Sequence, residues 1–448
     1  MAFRQTVGGA YKDALLDALH AARKAGVPTD GIAVASVFTT QSVTSVLERI
    51  RDQIKSSSPS ATDFRLASDG SRTVFPLQNV ASVSWNQQTR TTLPLNSPVT
   101  FTLADLRSIP GAVGHVAFGR FPARDYQLHA REFIPSTGMP GGFGDDLIYF
   151  NLVLPAGTPP VNGWPVAIAG HGGGTSKEPL TVGPAGSLAT TLARHGIATI
   201  AINAAGHGFG ALGSLTVTRA TGEPVTFPSG GRGFDQNGDG VIDPREGMRA
   251  TAPRTIIDDR DGLRQTVADL MQLVRQIEGG VDVDDDSIPD LDPSRIYFVC
   301  QSLGGVYGSV FLAIEPRVNA GVITVAGGPR TSRTLTRGDR GVVGTALGVR
   351  SPSLLNDPGV THLEDVAVLA PMYNENLPLR DGEARSRRQS CRGVGSPLPL
   401  PLHSHPVRGR SHGGRAGGPC TGTSCFVRSP AALAARITAQ VRRLPGRS

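Results

Sequence analysis

For 448 residues the chain holds few cysteines, and three of its four (Cys391, Cys420 and Cys425) fall in the last 68 residues. The body therefore has Cys300 alone and can build no disulfide framework, so cysteine usage says nothing about its compartment. No run of 18 or more apolar residues occurs, which excludes a helix long enough to span a bilayer. The first 30 residues lack a basic start followed by an apolar block, so no signal peptide is expected in this stretch. Self-similarity at a 20–50 residue period is also missing, which argues against a solenoid or propeller. Lysine is absent after position 380, although that segment is the most basic part of the protein.

The charge is accordingly uneven. Residues 381–448 carry twelve Arg against Asp381 and Glu383, a net +10 within an overall +7, which leaves −3 for the rest. A basic protein usually points to nucleic acid or anionic membrane. Here the charge is confined to one Arg, Gly, Ser and Pro-rich segment that cannot bury a core and reads as disordered, so no nucleic-acid partner is expected. The segment reads as a product of a reading-frame shift near Arg380. An Arg-rich arm for an anionic surface is a second reading. A metal set of His403, His405, Cys420 and Cys425 is a third, but its spacing fits no zinc template.

What is present centres on Ser302, in Arg295-Ile-Tyr-Phe-Val-Cys-Gln-Ser-Leu-Gly-Gly305. Residues 296–299 read as a strand and 306–314 as a helix, with a small-residue turn between them. A strand–Ser–helix elbow lifts a serine Oγ to the carboxyl edge of a parallel sheet. Cys300 stands where the G-x-S-x-G pattern has its first glycine; Gly304 keeps the second. Upstream, residues 164–170 read as a buried strand, followed directly by His171-Gly172-Gly173-Gly174. Acyl transfer places negative charge on a carbonyl oxygen and needs two preorganised N–H donors there. The His171–Gly174 loop would supply one, and the N–H of Leu303 the other.

From about residue 145 to 325 the chain resembles the α/β-hydrolase family, and more narrowly the large secreted lipase-like hydrolases of bacteria. Residues 197–203 read as a strand, 261–276 as an amphipathic helix and 318–325 as a further strand. The alternation predicts an α/β doubly wound, mostly parallel sheet, incomplete at its C-terminal end. The domain reading is a small α+β region over 1–60 (helices at 11–25 and 43–54, a strand at 31–40), a β-rich connecting region over 61–144, the hydrolase core over 145–380, and the tail. The core carries an insertion at about 205–257 and a lid-like segment at about 330–380.

The resemblance implies the chain order Ser, acid, His. His362 is the one histidine between Ser302 and the tail, and Asp339, Asp357 and Asp365 are candidates for the acid. The resemblance also places acid and base on later strands, which are expected to be absent here. His207, in Gly206-His207-Gly208, lines the pocket or is satisfied within its own loop.

The insertion contains Asp235, Asn237, Asp239, Gly240, Val241, Asp243 and Glu246 at positions 1, 3, 5, 6, 7, 9 and 12 of a calcium loop. The entering helix of an EF-hand is replaced by Gly- and Pro-rich sequence, so a structural Ca²⁺ site is expected rather than a switch. Asp282, Asp284, Asp286 and Asp290 repeat the alternation without the glycine or the terminal glutamate; Ca²⁺ or a solvated acidic loop both fit. Two functions follow: a secreted or cell-envelope serine hydrolase of small-molecule or lipid esters with structural Ca²⁺, and a catalytically incompetent, truncated Ca²⁺-binding relative without its acid and base.

Overall fold

The computed structural model describes residues 9–27, 44–93, 98–127, 142, 144–248 and 255–326. The expected strand at 31–40, the lid-like segment, His362, the three candidate acids and the tail lie outside them. Residues 1–45 form one unit, which contains α1 (Gly9–Lys24); all that follows belongs to the second unit, 46–448.

That unit contains α2 (Ser45–Ser56), β1 (Val74–Pro76), β2 (Val80–Asn86), β3 (Val99–Phe101), β4 (Val113–Asp125), β5 (Gly144–Pro155) and β6 (Trp164–Gly170). Next come α3 (Lys177–Thr181), α4 (Ser187–Arg194), β7 (Ala198–Ile202), β8 (Ser214–Arg219), β9 (Val225–Pro228), α5 (Thr255–Gly279), β10 (Leu291–Gln301), α6 (Leu303–Ile314) and β11 (Val318–Thr324). The expected strands and helices of the core appear close to their predicted bounds, because each is a continuous apolar run or a 3.6-residue stripe.

Seven strands form the main sheet in the order β1-β4-β5-β7-β6-β10-β11. The pairs β7–β6, β6–β10 and β10–β11 are parallel, while β5 runs against both β4 and β7. The inner parallel strands, β6, β7 and the 296–300 stretch of β10, are apolar on both sides. In β6 and β10, Val166, Ile168 and Phe298 face one core with α5 and α6, and Ala167, Ala169, Tyr297 and Val299 face another with Leu192 of α4. A sheet covered on both faces explains why these strands read as unbroken apolar runs.

The expected boundary at 145 falls inside this sheet. β1 and β4, from the 61–144 segment, pair in register with the rest, Phe121 opposite Ile148 and Val116 opposite Val153. The insertion also supplies strands. Its β8 and β9 join β2 and β3 in a second, four-stranded antiparallel sheet, β3-β2-β8-β9. Hairpin alternation in the Thr-rich β8 is visible, but its partner β2 lies some 130 residues earlier, and no local pattern announces such a pairing.

Candidate active site

β10 delivers Ser302 to the carboxyl edge of the sheet. The serine has φ 52° and ψ −117°, a conformation costly for a residue with a Cβ. It is held by neighbours on three sides. Its N–H donates to Thr324 O at the end of β11 (3.0 Å), its carbonyl accepts from Gly305 N–H (2.9 Å), and Thr324 Oγ1 donates to Cys300 O (2.8 Å). Leu303 opens α6, so its N–H has no acceptor within its own helix and lies at the positive end of the helix dipole.

The glycine missing at position 300 is made up by its neighbours. A Cβ on Gly170 would stand 3.0 Å from Cys300 Cβ, and one on Gly304 would meet the same atom at 3.0 Å and Gly170 O at 2.6 Å. Glycine at 170 and 304 makes the room that Cys300 occupies. Burial pushes the Cys300 thiol up to about 12, so it stays protonated and does not compete with the serine.

The His171–Gly174 loop lies directly against this elbow. A Cβ on Gly172 would be 3.5 Å from Ser302 Cβ, and one on Gly173 would be 3.5 Å from Leu303 Cδ2. Gly174 has φ +76°, which turns the chain into α3. The structure thus brings together Ser302, Leu303 and His171 to Gly174.

His171 is fully buried and fully used. Nδ1–H donates to Gly172 O (2.8 Å), Nε2 accepts from Ala204 N–H (2.9 Å), and its carbonyl accepts from Tyr307 O–H (3.1 Å). Its imidazole therefore ties the end of β6 to the loop after β7 and has no lone pair left for a serine proton. Burial pushes it down to about 4. The His207 ring lies 5.2 Å away, tilted 55° to it and sealed from solvent, with Nδ1–H on Ala205 O (3.0 Å); burial, then His171, push it down to about 3. Neither of these two buried histidines presents a base to Ser302.

An elbow serine after the sixth strand (in chain order) of a mixed seven-stranded sheet, facing a glycine loop after the fourth, decides the architecture. The fold is the α/β-hydrolase fold. The serine elbow and the glycine loop stand at the carboxyl ends of β10 and β6, where this chain has Ser302 and His171. No family model matches the chain, and no curated protein sequence does. Among solved structures it is similar to a cold-adapted esterase from an Arctic intertidal metagenomic library, at 16% identity over 52% of this chain and 68% of that one, TM-score 0.28. It is also similar to acetyl xylan esterase 1 of a Thermoanaerobacterium species (14%, 71% and 70%, 0.33) and to an α/β hydrolase of a Penicillium species (14%, 57% and 66%, 0.26).

The two acidic loops share one backbone pattern. In the first, Asp235 accepts from the N–H groups of Gly238, Asp239 and Gly240, Asn237 from Asp239 and Asp239 from Val241, while Glu246 accepts from Gln236, Asn237 and Asp243. In the second, Asp282 accepts from Asp285 and Ser287, Asp284 from Asp286, Asp286 from Ile288, and Asp290 from Val283. Positive φ recurs at the fourth and sixth positions, as Gly238 and Gly240 in one and Asp285 and Ser287 in the other. The carboxylates of Asp282, Asp284 and Asp290 converge within 4.8 Å of one another. Burial, with repulsion from Asp284, Asp282 and Asp286, pushes Asp290 up to about 6.

Two features near the site carry no signal in the sequence. Lys177 and Glu178 form a fully buried ion pair (2.6 Å) just after the glycine loop, and Lys177 Nζ also donates to Ser229 O at the end of β9 (2.5 Å). Arg245, next to Glu246 in the first acidic loop, reaches over Gly173 and Gly174.

Proposed function

We propose that the protein hydrolyses carboxylic esters, lipid or other small acyl esters, with Ser302 as nucleophile. The observation that carries this reading is the strained Ser302 elbow packed against Gly172. Ser302 Oγ attacks the carbonyl carbon, and the Leu303 N–H with the backbone of Gly172 to Gly174 stabilises the resulting oxyanion. His171 holds that loop in place. The general base is assigned to His362 and the orienting acid to one of Asp339, Asp357 and Asp365. The acidic loops, Asp235, Asn237, Asp239, Val241, Asp243 and Glu246 in one and Asp282, Asp284, Asp286 and Asp290 in the other, hold structural Ca²⁺; their all-oxygen donor sets and shared backbone pattern support a hard cation. Such loops fill readily at extracellular Ca²⁺, which supports export to the cell envelope or beyond.

A second reading, a catalytically silent Ca²⁺-binding relative, is favoured by the engagement of both His171 ring nitrogens. A fluorophosphonate probe separates the two. We expect wild-type protein saturated with Ca²⁺ to take one label, and Ser302→Ala to take none. Absence of label on the wild type would leave the second reading standing.

A further inference from the structure

We propose that Arg245 is a charge-bearing positioning residue for the oxyanion loop, so that the 235–246 loop forms one wall of the active site. The inference rests on the hydrolase reading and deepens it.

Arg245 Nε lies 3.2 Å from where a Cβ on Gly174 would stand and 3.6 Å from the corresponding point on Gly173. Leu303 Cδ2 and Cβ approach that same point on Gly173 at 3.5 and 3.6 Å. Gly173 is thus sandwiched between the guanidinium and the first residue of α6, whose N–H is the second oxyanion donor. Absent side chains at 173 and 174 are what let a planar, permanently charged group come this close to the loop backbone. The charge is felt deeper in the site as well, where Arg245 contributes to holding His207 neutral.

The arginine is delivered by its own loop. Its carbonyl accepts from Met248 N–H (3.3 Å), and the next residue, buried Glu246, accepts three backbone N–H groups across the loop. The folded state of the acidic loop therefore sets where the guanidinium sits. Acyl transfer creates negative charge beside Gly173 and Leu303, and a fixed cation on the far side of that loop favours the charged intermediate over the neutral ester. Arg245 is exposed on its outer side, so solvent and salt screen the effect and it is modest.

The test compares full-length wild type, Arg245→Gln and Arg245→Lys, saturated with Ca²⁺, by hydrolysis of p-nitrophenyl acetate and by the rate of fluorophosphonate labelling. Arg245→Gln should lower kcat and the labelling rate about five- to tenfold with KM changed less than about twofold. Arg245→Lys should recover most of both, and the wild-type advantage should shrink as salt is raised. An Arg245→Gln protein as fast as wild type overturns the proposal. So does an equal loss in both variants, or a loss that follows a lowered melting temperature. Wild-type protein that takes no label and cleaves no ester overturns the hydrolase reading together with this one; labelled wild type with an unaffected Arg245→Gln overturns this one alone.

Discussion

Two imidazoles, one of them in the His171–Gly174 loop, are kept neutral by burial, and that has a cost at acid pH. His171 and His207 ordinarily titrate at 6.5 and are pushed down to about 4 and about 3 in the fold. Between those values and 6.5 the unfolded chain binds more protons than the folded one. Their stabilising contribution is complete above pH 6.5 and is lost as pH falls toward the folded-state values. Each costs about 1.4 kcal/mol per pH unit in that window. Denaturant unfolding at pH 7, 6 and 5 should therefore show a steep loss of stability. His207→Asn, whose amide can still donate to Ala205 O, should flatten the slope by about half. Parallel stability curves for the two proteins would show that His207 does not titrate on unfolding.

Elements differ in how far local sequence announces them. β6, β7, β10 and α6 were legible because burial on both faces demands continuous apolar residues, and the Ser302 turn was legible because few other arrangements need that sequence. The compensation of Cys300 by Gly170 was not, since it depends on two strands meeting side by side. Nor was the Lys177–Glu178 pair: in sequence it is an ordinary charged dipeptide, and only the packing of α3 against β5 and β7 buries it. The acidic loops were legible as a spacing, but the second carries Asp285 and Ser287 where the first has glycines, which hid how alike their backbones are. Non-glycine residues at positive φ beside converging carboxylates make the cation-free second loop the less stable of the two. Calcium at about 100 times its Kd should raise unfolding free energy by about 2.7 kcal/mol per site, read as a shift in thermal midpoint. Asp282→Asn and Asp235→Asn should each remove one site's share. A midpoint indifferent to Ca²⁺ and to EDTA would rule out both sites.

At the scale of the whole molecule, the insertion and the region before the core cannot be separate modules. β8 and β9 pair with β2 and β3, and the small sheet shares a core with the main one. Phe118 of β4 lies 4.9 Å from Phe227 of β9 and 6.3 Å from Phe75 of β1, and Trp85 and Val83 of β2 pack in the same cluster as Val116 and Val153. Breaking either sheet exposes apolar surface belonging to the other, so the two should melt together. The chain's two tryptophans report on this separately: Trp85 sits in the small sheet, and Trp164 opens β6 of the main sheet, in the core on its other side. Single-tryptophan proteins, Trp85→Phe and Trp164→Phe, should each unfold in one transition by fluorescence, coincident with the loss of far-ultraviolet circular dichroism. Adding Phe227→Ala, which truncates a buried ring at the contact between sheets, should move all the transitions downward by about 3–5 kcal/mol. An early Trp85 transition, with Trp164 reporting a later one, would mean that the small sheet folds on its own. The 235–246 loop that follows β9 would then be free to leave the His171–Gly174 loop while the main sheet stayed intact.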